Sequence, residues 1–201
     1  MKTITPVPTP TTFFLPADDL RAAFQCISTD PGRYYLNGVL VEADQLVAVD
    51  GNQMLTIDLQ DGCHVGAGCF TQGMDAPRMP GSTSTIPHGA GFILSCDSTD
   101  KAFKAGKLGD LWVYGDITTG ILQFVINHGD TTTEMTRVGV LEFTVIDGTF
   151  PDWRRVAKGD GGVTSMCYNP AVLAKLVRAA DVIEKGRSIR LTSGAALGGP
   201  I

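Results

Sequence analysis

RYYLNGVLVEADQLVAVDGNQML, residues 33–55, is the stretch whose reading decides the fold. It holds two runs rich in strand formers, Tyr34–Glu42 and Gln45–Val49, with a short acidic turn between them. A third run, Met54–Leu59, follows an Asp50-Gly51 pair of the kind that closes tight hairpins. Two adjacent tyrosines stand at one end of the stretch and the Asp-Gly at the other. None of these residues forms a catalytic constellation. The question they raise is what a tyrosine pair and a tight turn on one hairpin touch.

The same grammar runs outward along the chain. Further strand candidates are Gly91–Ser95, Leu111–Tyr114, Ile121–Asn127, Glu134–Val138 and Glu142–Ile146. The clearest hairpin is LWVYGDITTGILQFVI, with Gly115–Gly120 as its loop. Only three segments read as helices. In PADDLRAAFQCIS, Pro16 opens the helix, Asp18 and Asp19 suit its positive end, and Leu20, Phe24 and Ile27 share a face. In DSTDKAFKAGK, Asp97 or Ser98 is the cap. In NPAVLAKLVRAADVIEKG, Asn169 caps, Pro170 lies in the first turn, Gly186 stops the helix, and Val172, Leu173, Leu176, Val177 and Ala180 form the apolar stripe.

Element order then shows a repeat. A β-α-β-β-β unit spans about 12–60, recurs over about 91–147, and begins a third time at 163. The Gly/Pro/Ser/Thr-rich stretch 62–87 reads as a surface connection, and AKGDGG (157–162) as a boundary. The expected organisation is an N-terminal arm at 1–12, a complete two-unit domain at 13–157, and a partial domain at 158–201 cut off within its first unit.

Composition limits the function. The chain has 201 residues, 43% of them apolar, enough for a substantial core. Its net charge of −5 argues against a generic nucleic-acid binder, though not against one whose cations lie on one face. No apolar run reaches the roughly 18 residues of a membrane span, and the N-terminus lacks a signal-peptide pattern. Five cysteines without a secretion signal read as reduced thiols. Cys63, His64 and Cys69 form C-H-x4-C, but Cys96, His88 and His128 supply no fourth ligand in a paired pattern, so no metal is expected. No Ser/His/Asp order, phosphate loop or motif-borne carboxylate pair is present, so no catalytic residue is assigned. The cations Arg21, Lys101, Lys104, Lys107, Lys175 and Arg178 sit on or beside the helices. They are either solvated faces or, if the helices lie side by side, a surface for a polyanion.

Three segments together resemble a known family. RYYLNGVLVE, VAVDGNQML and IDGTFPDWRRV, in this order and spacing, are similar to signatures of the bacterial sliding clamp, the beta subunit of DNA polymerase III. The resemblance covers about residues 13–157 and corresponds to the clamp's central domain; CYNPAVLAKLVRAADVIEKGRSIRLTS is similar to part of its third domain. It implies an α+β DNA-clamp fold of repeated β-α-β-β-β units, with helices on one face of curved antiparallel sheets. It implies a non-catalytic, cytoplasmic, nucleoid-associated processivity factor without cofactors, which assembles as a homo-oligomer around duplex DNA and works with a clamp loader. The helix cations, with Arg33, Tyr34 and Tyr35 at the rim, would meet DNA without reading its sequence; the tyrosines alternatively close the hairpin against the core. Polymerase and other partners with clamp-binding peptides would dock in a groove walled by Leu36, Val49, Gly51, Met54, Pro151, Arg155 and Val156. On the residues alone, Asp50-Gly51 reads as a plain turn and Trp153 as a core aromatic; the resemblance favours the groove. Two departures stand out: Asn52-Gln53 replaces the family's His-Arg, and the family's closing strand, which supplies the groove's opposite wall, has no counterpart before GAALGGPI. A monomeric clamp-like module that binds the same peptides without encircling DNA is the second reading.

Overall fold

The computed structural model describes residues 12–59, 63–66, 91–99, 111–127, 135–157 and 170–183. The first unit comprises β1 (Thr12–Pro16), α1 (Ala17–Phe24), β2 (Val39–Val41), β3 (Gln45–Val49) and β4 (Met54–Asp58). A short strand β5 (His64–Gly66) follows. The second unit supplies β6 (Phe92–Cys96), β7 (Leu111–Asp116), β8 (Ile121–Asn127) and β9 (Met135–Ile146), then come the short helix α2 (Trp153–Ala157) and α3 (Pro170–Val182). All strands pair antiparallel in one nine-stranded sheet of order β4-β3-β2-β6-β9-β8-β7-β1-β5.

The order records an exchange between units. The first strand of the first unit, β1, leaves its own meander and pairs with β7 of the second, while β6 lies between β2 of the first unit and β9 of its own. The long β9 joins the halves, pairing with β8 through Glu142 and with β6 from Phe143 onward. The two edge strands, β4 and β5, are close neighbours in sequence, so the sheet curls back toward itself. This is an α+β fold of curled antiparallel sheet with few helices.

Strand alternation explains the core. On the concave side lie Phe13 and Leu15 of β1, Val39 and Val41 of β2, Leu46 and Ala48 of β3, Leu55 and Ile57 of β4, and Phe92 and Leu94 of β6. Phe13 sits between Phe92 (ring centroids 5.4 Å) and Phe143 (5.7 Å, edge to face). Gly115 is required here, because a Cβ at that position would strike the Phe13 ring. Helix α1 fills the concavity with Leu20, Ala23 and Phe24.

Several expectations are corrected. Tyr34–Leu36 are not strand: Asp30 accepts the Gly32 amide (2.8 Å), Pro31 sets φ, and Pro31–Leu36 form a 3-10 turn. Glu134–Val138 and Glu142–Ile146 are one continuous strand, β9. Helix α1 ends at Phe24, before Ile27, where tight bonds from Gln25 and Cys26 to Ala22 and Ala23 close it. The buried stripe of α3 is Leu176, Ala179, Val182 and Ile183, whereas Val177 is 51% exposed. Helix α3 packs against α1 and into the same core. The second expected helix beyond Thr99, the 1–11 part of the arm, the 157–162 boundary beyond Ala157, and Asn169 and Gly186 lie outside the described residues.

Candidate functional site

The convex face of β2, β3, β4 and β6 carries a second apolar cluster. Leu40, Val47 and Ile93 are buried there beneath Trp153, with Tyr35, Val49, Met54, Ile146 and Phe150 packed around them. The sheet is therefore covered on both faces at this end. Trp153 is a buried aromatic, as one of its two readings held, and it is also the centre around which Val49 and Met54 gather. Its indole Nε1 is buried with no hydrogen-bond partner.

The two ends of the opening stretch meet. β2 and β3 pair through Leu40–Val47 and Val41–Leu46, with the turn at 42–44, so the chain before β2 and the chain after β3 emerge side by side. The tyrosine loop and the Asp-Gly turn therefore share one end of the hairpin. Gly51 has φ +93°, a conformation glycine adopts without strain. The Arg33 guanidinium occupies the space a side chain at 51 would fill. Tyr34 is 54% exposed, Tyr35 is half-buried and meets it edge to face at 5.7 Å, and both lie against Gly148 of the IDGTFPDW segment.

Two ion pairs hold the hairpin, one at each end, and neither was anticipated. Arg154 grips the Glu42 carboxylate with both terminal nitrogens (3.0 and 2.7 Å) and lies over the Trp153 ring at 4.4 Å. Hydrogen bonding to Glu42 raises the Arg154 guanidinium further above its ordinary value. The final Glu of RYYLNGVLVE thus fastens the first signature to the third. Asp50 accepts the amides of Asn52 (2.9 Å) and Gln53 (3.0 Å), the Gln53 carboxamide (3.1 Å) and the Lys175 ammonium (2.7 Å). Asn52-Gln53 is thereby tied into the turn. A buried carboxylate at the end of a strand was the available signal for both pairs, since a buried charge requires a partner.

The expected groove residues are partly assembled. Val49 and Met54 join the Trp153 cluster; Leu36 is buried; Gly51, Pro151 and Arg155 are exposed. Val156 lies in α2, but its side chain is outside the described set. Of the expected DNA-facing cations, Arg33 and Arg178 are exposed. Arg21 is largely buried and paired with Asp18 at 2.7 Å, and Lys175 is engaged by Asp50. Lys101, Lys104 and Lys107 lie outside the described residues. An open cleft of about 440 Å³ lies elsewhere, between the ends of β6, β8 and β9, and none of the expected groove residues lines it. Among the described residues no group of three or more His, Cys, Asp and Glu is arranged to hold a metal, and no helix is long and apolar enough to cross a membrane. Cys26 and Cys96 are thiols whose burial pushes them up to about 11 and about 12.

No protein-family model and no curated protein sequence matches the chain. Solved structures do. A sliding clamp (DNA polymerase III subunit beta) from Bartonella birtlesii, crystallised with griselimycin, is 25% identical over 78% of this chain, with a TM-score of 0.38. A DNA polymerase sliding clamp from Pseudomonas aeruginosa is 20% identical over 81%, with a TM-score of 0.40. A protein assigned as a DNA polymerase III beta subunit from Eubacterium rectale is 14% identical over 93%, with a TM-score of 0.40. The chain spans 37%, 38% and 45% of the lengths of these three structures. The protein is thus similar to DNA polymerase III beta sliding clamps of known structure.

Proposed function

We propose that this chain is a non-catalytic processivity module of the sliding-clamp type. It encircles duplex DNA as a homo-oligomer and tethers polymerase and related partners through short peptides that dock beside Trp153. A clamp loader places it on DNA, and it works in the cytoplasm at the nucleoid. One observation carries the reading: the third signature, about a hundred residues further on, packs along the hairpin that the first two build. Arg33 rests on Gly51, Tyr35 packs with Trp153, and Glu42 binds Arg154. The exposed Arg33, Tyr34 and Arg178 supply contacts of the sequence-independent kind. Lys101, Lys104 and Lys107 belong to the same proposed surface. Tethering acts through effective concentration and requires no chemistry at the site.

A second reading is favoured by α3. Its packing on α1 and into the same core suits a monomeric module that binds the same peptides without forming a ring. Light scattering over a concentration series separates the two. A closed oligomer supports encirclement, and a monomer at every concentration excludes it for this chain.

A further inference from the structure

Arg33 holds a position that neither expected role describes. Its backbone departs from the 3-10 geometry of its neighbours (φ −119°, ψ 46°), and its side chain turns back onto Gly51. Its only carboxylate contact among the described ion pairs is long, 3.6 Å from Nε to Asp30 Oδ2, with both side chains half exposed. Asp30 itself is committed through its other oxygen to the Gly32 amide. The surface beneath the guanidinium is held firmly, because Asp50 ties the turn with three bonds of its own and a fourth from Lys175. A loosely paired cation therefore lies on a rigid glycine seat, between the tyrosine loop and the wall of the Val49–Met54 groove.

We propose that this one guanidinium is shared between the two sites. Seated on Gly51 the guanidinium offers only about half of its side chain to DNA, and a peptide docked over Gly51 releases it fully toward a phosphate. The inference rests on the reading of residues 33–35 as a DNA-facing loop and adds the linkage: groove occupancy strengthens the grip on DNA, and phosphate binding uncovers the groove wall. Reciprocity follows from thermodynamics, since each ligand shifts the same two positions of Arg33.

The test places a side chain on the seat. Gly51→Asn tolerates a positive φ better than other residues and its Cβ fills the space of the guanidinium. Binding of a fluorescein-labelled duplex by the full chain is followed by anisotropy at low and moderate salt. Gly51→Asn should bind about two- to fourfold tighter, the scale of one exposed charge contact. Arg33→Met should bind more weakly with a salt slope reduced by about one, and the double variant should match Arg33→Met. If Gly51→Asn binds no tighter while Arg33→Met weakens binding, the linkage is wrong and the DNA-facing reading stands. If the wild-type chain binds no duplex, both fail. Should Gly51→Asn not fold, hydrogen exchange of the wild-type chain decides. Saturating duplex should accelerate exchange at Gly51 and Asn52, and unchanged exchange with duplex bound overturns the proposal.

Discussion

The Glu42–Arg154 pair invites the sharpest test, because its two ends sit in different environments. The Glu42 side chain is 5% exposed and the Arg154 side chain 38%. Arg154→Met strands a buried carboxylate that has lost both charge-assisted bonds. Breaking a fully buried pair from one side costs about 3–5 kcal/mol. Water reaches the outer end of this pair, which screens it, so about 2–3 kcal/mol is the working figure. Glu42→Met removes the buried charge itself and leaves a guanidinium able to turn to solvent while still lying over Trp153. Its cost should be about 1 kcal/mol. The double variant has no stranded charge, so it should lie near the Glu42→Met value and well below the sum of the singles. Urea denaturation of the four proteins, followed by fluorescence and fitted with a common m-value, reads these differences directly. If Arg154→Met were no more destabilising than Glu42→Met, or if the effects simply added, the pair would not fasten the third signature to the hairpin.

Alkaline pH should destabilise the fold. Burial pushes Cys26 to about 11, Cys96 to about 12 and Tyr114 to about 12. The unfolded chain releases these protons first, so stability is whole below pH 9 and declines from there to about pH 12; urea midpoints at pH 8 and pH 10.5 should differ, and equal midpoints would contradict it. Lys175→Met should lower stability by about 1 kcal/mol and accelerate amide exchange at Ile183, which bonds back to Ala179, because α3 loses its tie to the hairpin; unchanged exchange would separate the helix from that contact. Gly115→Ala should lower stability by about 1–3 kcal/mol through overpacking against Phe13, and a neutral result in thermal melts would show that the ring has room to move.

The part of this protein legible in its sequence was the part governed by neighbours along the chain. Gln45–Val49 and Ile121–Asn127 have the bounds that their alternation indicates, and the inward set Val39, Val41, Leu46 and Ala48 follows from a period of two. Tyr34–Leu36 misled because their strand propensity is real but weaker than the Asp30-Pro31-Gly32 punctuation before them. β5 carried no signal at all. It is three residues long in a glycine-rich stretch, and it exists because β1, some fifty residues earlier, offers an edge.

Helix α3 shows the other limit. Val172, Leu173, Leu176, Val177 and Ala180 make a plausible stripe, but Leu176, Ala179, Val182 and Ile183 make another a fraction of a turn away. Both are apolar, and only contact with α1 selects between them. The site follows the same division. Local patterns alone marked the hairpin and the Asp-Gly turn, since these depend on residue type and spacing. That Arg33 rests on Gly51, that Glu42 reaches Arg154 more than a hundred residues later, and that Asp50 takes Lys175 from α3 were decided by the tertiary structure. Each joins charged or aromatic groups whose partners are chosen by strand exchange and helix docking, and no periodicity along the chain encodes that choice.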